Sequence, residues 1–258
     1  MPLYVDESGT PGAHSVVFLH GIGTSGWMWW RQVEALSDFH CLNVDLPGHG
    51  KSNQIAWVSL ADTADQIAAI IQAQATEGRA HVVGLSLGGY IGLSLLQHHA
   101  DTVQSAVLSG VTAAPMPNRN WLRPQLGLMS LLMRNRWYAN MQAKALNLPA
   151  AMQAEFTDNW LAMSMDTYGR IAKEASEFSM PSALHKVDVR TLVVAGGKES
   201  QIILDAVDAI PRLIPHAKGC IAPDVGHGWN VEAPDLFNAM VRAWVSHAPL
   251  PPQLRTIS

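Results

Sequence analysis

The sequence predicts an α/β fold, a mostly parallel sheet with helices on both faces and one helical insertion, and three observations carry that prediction. Short runs of uninterrupted apolar residues, Val82-Val83 and Leu192-Val193-Val194 among them, have the pattern of strands covered on both sides. These runs alternate with longer stretches whose apolar residues recur at helical spacing, and such alternation folds as a parallel sheet. One stretch, residues 112–183, breaks the alternation and offers helical segments only.

At 258 residues the chain can form one large domain with a sizeable core. Hydrophobic residues at 48% against 15% charged exclude a disordered chain, and a formal net charge of -4 argues against nucleic-acid or anionic-membrane partners. Cys41 and Cys220 fall in separate apolar runs far apart in the chain and read as inert core thiols. The N-terminus has no basic segment followed by an apolar run, and no run of about 18 apolar residues occurs anywhere. The expectation is a soluble, cytoplasmic protein, monomeric or homodimeric.

In chain order, a first strand is expected over residues 3–5, then a turn at Gly9-Thr10-Pro11-Gly12. Residues 16–19 form a buried strand running into His20-Gly21-Ile22-Gly23-Thr24-Ser25-Gly26, a loop whose glycines let backbone amides face a ligand. A helix over 30–36 and a strand over 41–44 follow, and Asp45-Leu46-Pro47-Gly48-His49-Gly50-Lys51-Ser52 must be a loop. Residues 59–76 read as an amphipathic helix capped by Ser59, with Leu60, Ala64, Ile67, Ile70 and Ile71 on one face. The next strand ends at Gly84-Leu85-Ser86-Leu87-Gly88, and a helix covers 87–99. Strands over 105–111 and 188–195 bracket the insertion. A last strand over 219–222 leads to Pro223-Asp224-Val225-Gly226-His227-Gly228-Trp229, a helix over 234–247 and a tail, Pro249 to Pro252, that should lie over the surface.

The insertion, with helical segments over 126–148 and 151–163, carries eight of the eleven methionines: Met116, Met129, Met133, Met141, Met152, Met163, Met165 and Met180. Trp121, Trp137 and Trp160 also fall there. Residues 112–183 therefore read as a helical cap inserted in a core made of 1–111 and 184–258, not as an independent domain.

Gly84, Ser86 and Gly88 form G-x-S-x-G, in which glycines permit a strained strand-to-helix turn that exposes a hydroxyl above the sheet. A serine hydroxyl is a weak nucleophile at neutral pH and needs a histidine base oriented by a carboxylate. Reactive groups of an open parallel sheet gather at the carboxyl ends of its strands. Of the eleven histidines, His20, His49 and His227 follow strands, and His227 comes late in the chain, as the order nucleophile, acid, histidine requires. His20 and His49 read as props for tight loops, while His40, His81, His98, His99, His185 and His247 are expected at solvent-facing strand starts and helix ends. No histidine set has metal-ligand spacing.

The acid should follow the strand before His227. Glu199 is the first acidic residue there, with Asp205, Asp208 and Asp224 as alternatives, and no Asp or Glu lies between Asp101 and Glu155 to serve from the preceding strand. The amides of Leu87 and Ile22, with Gly23 the neighbouring alternative, would form an oxyanion hole.

Taken jointly, His20-Gly21, the segment Asp45 to Ser52, Gly84 to Gly89 and Gly226-His227 resemble the α/β-hydrolase superfamily across nearly the whole chain. The resemblance implies an eight-stranded, mostly parallel sheet with a cap between strands 6 and 7, and hydrolysis through an acyl-serine intermediate without a cofactor. Glu199 stands where most members have aspartate.

A cap rich in Met and Trp should line an apolar, adaptable pocket, with Trp27, Trp29, Trp30 and Trp229 as further aromatic walls. Arg119, Arg123, Arg134 and Arg136 read as a solvated basic face. The expected activity is a serine carboxylesterase acting on small or medium, apolar or aromatic esters. The alternatives are a C–C bond hydrolase, lactonase or lyase with the same triad, or a non-catalytic ligand-binding protein.

Overall fold

The computed structural model describes residues 2–117, 134–145 and 148–257. Eight strands form one sheet: β1 (Val5–Gly9), β2 (Ser15–Leu19), β3 (His40–Val44), β4 (Ala80–Leu85), β5 (Val103–Ser109), β6 (Thr191–Gly196), β7 (Ala217–Ala222) and β8 (Arg255–Ile257). Their spatial order is β1-β3-β2-β4-β5-β6-β7-β8, parallel throughout except at the two edges, where β1 pairs antiparallel with β3 and β8 with β7. The described helices are α1 (Trp30–Ala35), α2 (Leu60–Gln74), α3 (Leu87–His98), α4 (Arg136–Ala145), α5 (Ala150–Ala162), α6 (Met165–Glu177), α7 (Gln201–Leu213), α8 (Trp229–Glu232) and α9 (Pro234–Val245).

The alternation of side chains along each strand divides the core in two. Val17, Leu19, Val82, Leu108 and Val193 face α2, α3 and α7, packing with Ile67, Ile71, Ile91 and Ile210. Val16, Phe18, Val83, Val107 and Val194 face the opposite side, with Trp29, Phe237, Met240 and Trp244 around α1 and α9. Both sides of the inner strands are covered, which is why they read as unbroken apolar runs. Ser59 caps α2 as expected, its hydroxyl accepting from the Asp62 amide at 3.0 Å. Both cysteines are free and buried, and burial beside Asp38 pushes the Cys41 thiol up to about 11.

Four expectations are revised. The first strand lies at Val5–Gly9 instead of 3–5, because its pairing with β3 and not its own mostly exposed pattern fixes it. No strand is expected after residue 247, yet residues 255–257 add β8 as an antiparallel edge strand on β7, beyond Pro249 to Pro252, which lie at the surface as expected. Counted along this chain, the insertion falls between the fifth and sixth strands, β5 and β6, instead of between strands 6 and 7. His40 and His81 are buried, not solvent-facing, because serine hydroxyls on adjacent strands partner them: His40 with Ser15 at 2.9 Å and His81 with Ser105 at 2.8 Å.

The insertion contributes α4, α5 and α6. Ala143, Leu148, Met152 and Phe156 pack around Val231 and against Trp27, both from outside the insertion, and Ile171 joins the core beside α3. No helix among the described residues is long and apolar enough to cross a membrane.

Candidate active site

The turn after β4 is built by what its glycines exclude. A Cβ on Gly84 would lie 2.3 Å from the Gly88 carbonyl oxygen, and one on Gly88 would lie 1.9 Å from that of Leu19. With both positions bare, α3 starts directly against β2 and β4, and Ser86 is left at φ 55°, ψ -113°. That is a left-handed conformation a non-glycine residue adopts only under strain. Hydrogen bonds hold it there: the Ser86 amide donates to the Ser109 carbonyl at 2.8 Å, and the Gly88 amide to that of His20 at 3.0 Å. The amides of Leu87 and Ile22 have no acceptor among the described residues. Both residues line one cavity together with Ser86.

His227 and Glu199 form the second half of the site. The ring Nδ1–H donates to Glu199 Oε2 at 2.5 Å, and Glu199 Oε1 accepts from the Gly196 amide at 3.0 Å. The Glu199 side chain is 2% exposed and that of His227 36%, so the carboxylate is sealed while the ring's other edge stays accessible. The loops that carry them are tied together, Gly197 N–H to Ala222 O at 2.7 Å and Lys198 N–H to Val225 O at 3.0 Å. Gly110, at φ +69°, makes the room: a Cβ there would lie 2.6 Å from His227 Cε1. Ser86, Ile22 and His227 together line two cavities, of about 190 Å³ and about 300 Å³. The Ser86 hydroxyl forms no hydrogen bond within the described residues. In sites of this kind that contact often tightens only when substrate binds.

A family model described as alpha/beta hydrolase family matches residues 16–240. The chain belongs to the alpha/beta hydrolase family. It is similar to an AB hydrolase superfamily protein of Gibberella zeae, 30% identical over 95% of this chain and 84% of the relative. A pimeloyl-acyl-carrier-protein methyl ester esterase of Nitrosomonas europaea is 27% identical, with 88% and 94% covered. A 3-oxoadipate enol-lactonase of Acinetobacter baylyi is 25% identical, with 91% and 90% covered. The crystal structure of a hydrolase from Pseudomonas aeruginosa superposes with a TM-score of 0.79 at 24% identity, covering 94% of each chain. The protein is thus a hydrolase of this family.

The two family loops before α1 and α2 are clamped by buried, neutral histidines. His20 Nδ1–H donates to the Gly21 carbonyl at 2.8 Å, and its Nε2 accepts from the Leu46 amide at 3.0 Å. Burial lowers the His20 pKa to about 4. His49, whose Nδ1–H donates to the Pro47 carbonyl, is lowered to about 3 by burial and by His20. Asp45 completes the clamp, accepting from the Gly26 and Lys51 amides at 2.7 Å each.

Of the alternative acids, Asp205 and Asp208 lie on α7, bonded to Gln201 and Arg212, and Asp224 is exposed in a turn. None is bonded to His227. The cavity walls differ from expectation. The smaller cavity takes Trp27, Met28, Leu148, Trp160 and Val231, and the larger takes Tyr90, Met116, Tyr168, Ile171 and Ile203. Trp29 and Trp229 are fully buried in the core, and Trp30 is largely exposed. Met116 is the one described methionine of the insertion lining either cavity; Met152 and Met163 are buried, Met141 is exposed, and Met129 and Met133 lie outside the described residues. Arg134 is exposed and Arg136 pairs with exposed Asp158, whereas Trp121, Arg119 and Arg123 lie outside the described residues. No group of three or more His, Cys, Asp or Glu side chains among the described residues could hold a metal ion.

Sequence reasoning missed Ser109 and Gly110, and placed Asp45 in its loop without giving it a role. Gly110 falls inside the strand expected over 105–111, and a glycine near the end of that run was a usable signal that the strand stops short of it, at Ser109.

Proposed function

We propose that this hydrolase cleaves carboxylic esters of small or medium, apolar or aromatic substrates through an acyl-serine intermediate. The observation that carries the reading is a sealed carboxylate bonded to an accessible imidazole, beside a strained serine with two unengaged amides. His227 takes the Ser86 proton as Oγ attacks the carbonyl carbon, and Glu199 stabilises the resulting imidazolium. The amides of Leu87 and Ile22 receive the oxyanion, each worth about 10²-fold to 10³-fold in rate. His227 then protonates the leaving alkoxide, and water repeats the sequence on the acyl-enzyme.

Residues 112–183 act as a cap: Leu148 and Trp160 close the smaller cavity, Met116, Tyr168 and Ile171 the larger. Two mainly apolar cavities meeting at Ser86 suit the two substituents of an open-chain ester. A lactone is the second reading, favoured by the likeness to an enol-lactonase; its ring would have to occupy one cavity. A panel of aryl esters of increasing acyl length, beside a lactone and a thioester, tests both. Turnover of the aryl esters, lost in Ser86→Ala with the thermal midpoint unchanged, is expected. Retained turnover in that variant would overturn the assignment.

A further inference from the structure

The last residue of β5 touches both halves of the site. Ser109 is fully buried and paired with Leu85 on one side and Val194 on the other. It thus lies between the strand that ends at Ser86 and the strand that leads to Glu199. Its carbonyl accepts from the Ser86 amide at 2.8 Å, and its hydroxyl accepts from the Trp229 indole N–H at 3.0 Å. Trp229 follows His227 by two residues, is fully buried, and packs edge-on against Phe237 with centroids 4.6 Å apart. We infer that Ser109 is a positioning residue whose hydroxyl, acting through Trp229, sets where the His227 ring stands relative to Ser86.

The inference rests on the reading of Ser86 and His227 as nucleophile and base. Glu199 holds the ring through a single hydrogen bond at Nδ1, which fixes its tautomer. The indole anchors the far end of the same loop in the core. Core packing holds Trp229 among Phe237 and Met240 of α9 and Val107 and Val194 of the sheet without a directional bond, whereas the nucleophile stands at the end of β4. The Ser109 hydroxyl refers one to the other, and the Ser109 carbonyl fixes the nucleophile to the same residue. Such registration matters because a displacement of about 1 Å in the reacting geometry can reduce rate by about 10²-fold.

Wild type, Ser109→Ala, Trp229→Phe and the double variant are compared for kcat and KM on an aryl ester, rate of labelling by a small aryl phosphonate, and thermal midpoint. Each single change is expected to lower kcat and labelling rate by about tenfold or more, with KM kept within about twofold. The double variant should be no slower than the slower single one, since both break one link. Unchanged kcat with a lowered midpoint, or losses that multiply in the double variant, would overturn the inference. Should Ser109→Ala fail to fold, Trp229→Phe carries the same kcat comparison. The two readings fail separately: wild type that is not labelled defeats the nucleophile assignment, whereas normal labelling of wild type and both single variants defeats the positioning role alone.

Discussion

Replacing Glu199 by Gln changes one atom and should stop the proposed chemistry, for a reason the hydrogen bonds make explicit. The Gly196 amide donates to Oε1, so a glutamine here must keep its carbonyl oxygen at that position. Its NH₂ then faces His227 Nδ1, where Oε2 accepted a proton before. The ring can satisfy that donor only by leaving Nδ1 bare and carrying its proton on Nε2. An Nε2–H cannot take the serine proton. In Ser-His-Asp triads the corresponding tautomer reversal reduces kcat by about 10⁴-fold, equivalent to about 5 kcal/mol of barrier. Glu199→Asp fails differently: losing one methylene withdraws the carboxylate by about 1.5 Å, out of hydrogen-bond range, and a loss of about 10²-fold is expected. The assay is steady-state kcat on an aryl ester, with the thermal midpoint recorded for each variant. Glu199→Gln retaining more than about a tenth of wild-type kcat would refute the argument, and would return Asp205, Asp208 and Asp224 to consideration.

Gly110→Ala should lower kcat by about 10²-fold with little change in KM, because its Cβ would displace the His227 ring from 2.6 Å and φ is +69°; unchanged kcat would contradict this. Trp160→Ala should open the smaller cavity and raise the kcat/KM ratio of long over short acyl esters by about tenfold, so a ratio that stays constant across the panel places the acyl chain elsewhere. His20, His49 and His81 are held neutral, with pKa values lowered to about 4, 3 and 3 chiefly by burial. The unfolded chain binds their protons first, so their stabilisation is full above about pH 6.5 and drains away as pH falls towards 4. For His20 alone that amounts to about 3 kcal/mol at pH 4. Thermal midpoints should fall steeply between pH 6.5 and about 4, and His49→Gln should flatten the slope; an identical slope would show that His49 is not involved.

Where a side chain's fate depends on local pattern, the sequence was sufficient. Val82 and Val83 lie in a covered central strand, Ser59 caps the amphipathic helix whose face carries Ile67 and Ile71, and His20 and His49 brace their loops. The Ser86 turn was legible because two residues in five, Gly84 and Gly88, must satisfy sterics that only glycine permits. What was not legible depended on partners distant in sequence. His81 is buried because Ser105, on the next strand, meets its ring, and nothing near His81 announces that. Residues 255–257 become a strand through backbone pairing with β7 and have no apolar period of their own. Trp29 and Trp229 stand beside loops of the site in sequence yet point into the core. Trp160 reaches the site from α5, packing against Gly23 so closely that a Cβ there would lie 2.5 Å from the indole.

The most direct measurement is peptide mapping by mass spectrometry after exposure to a small aryl phosphonate, with Ser86→Ala and His227→Ala treated alongside. A single adduct on the peptide carrying residue 86, absent from the first variant and formed far more slowly in the second, is the predicted result. No adduct on wild type, or the same adduct forming at an undiminished rate without the imidazole, would contradict a histidine-activated serine in this fold.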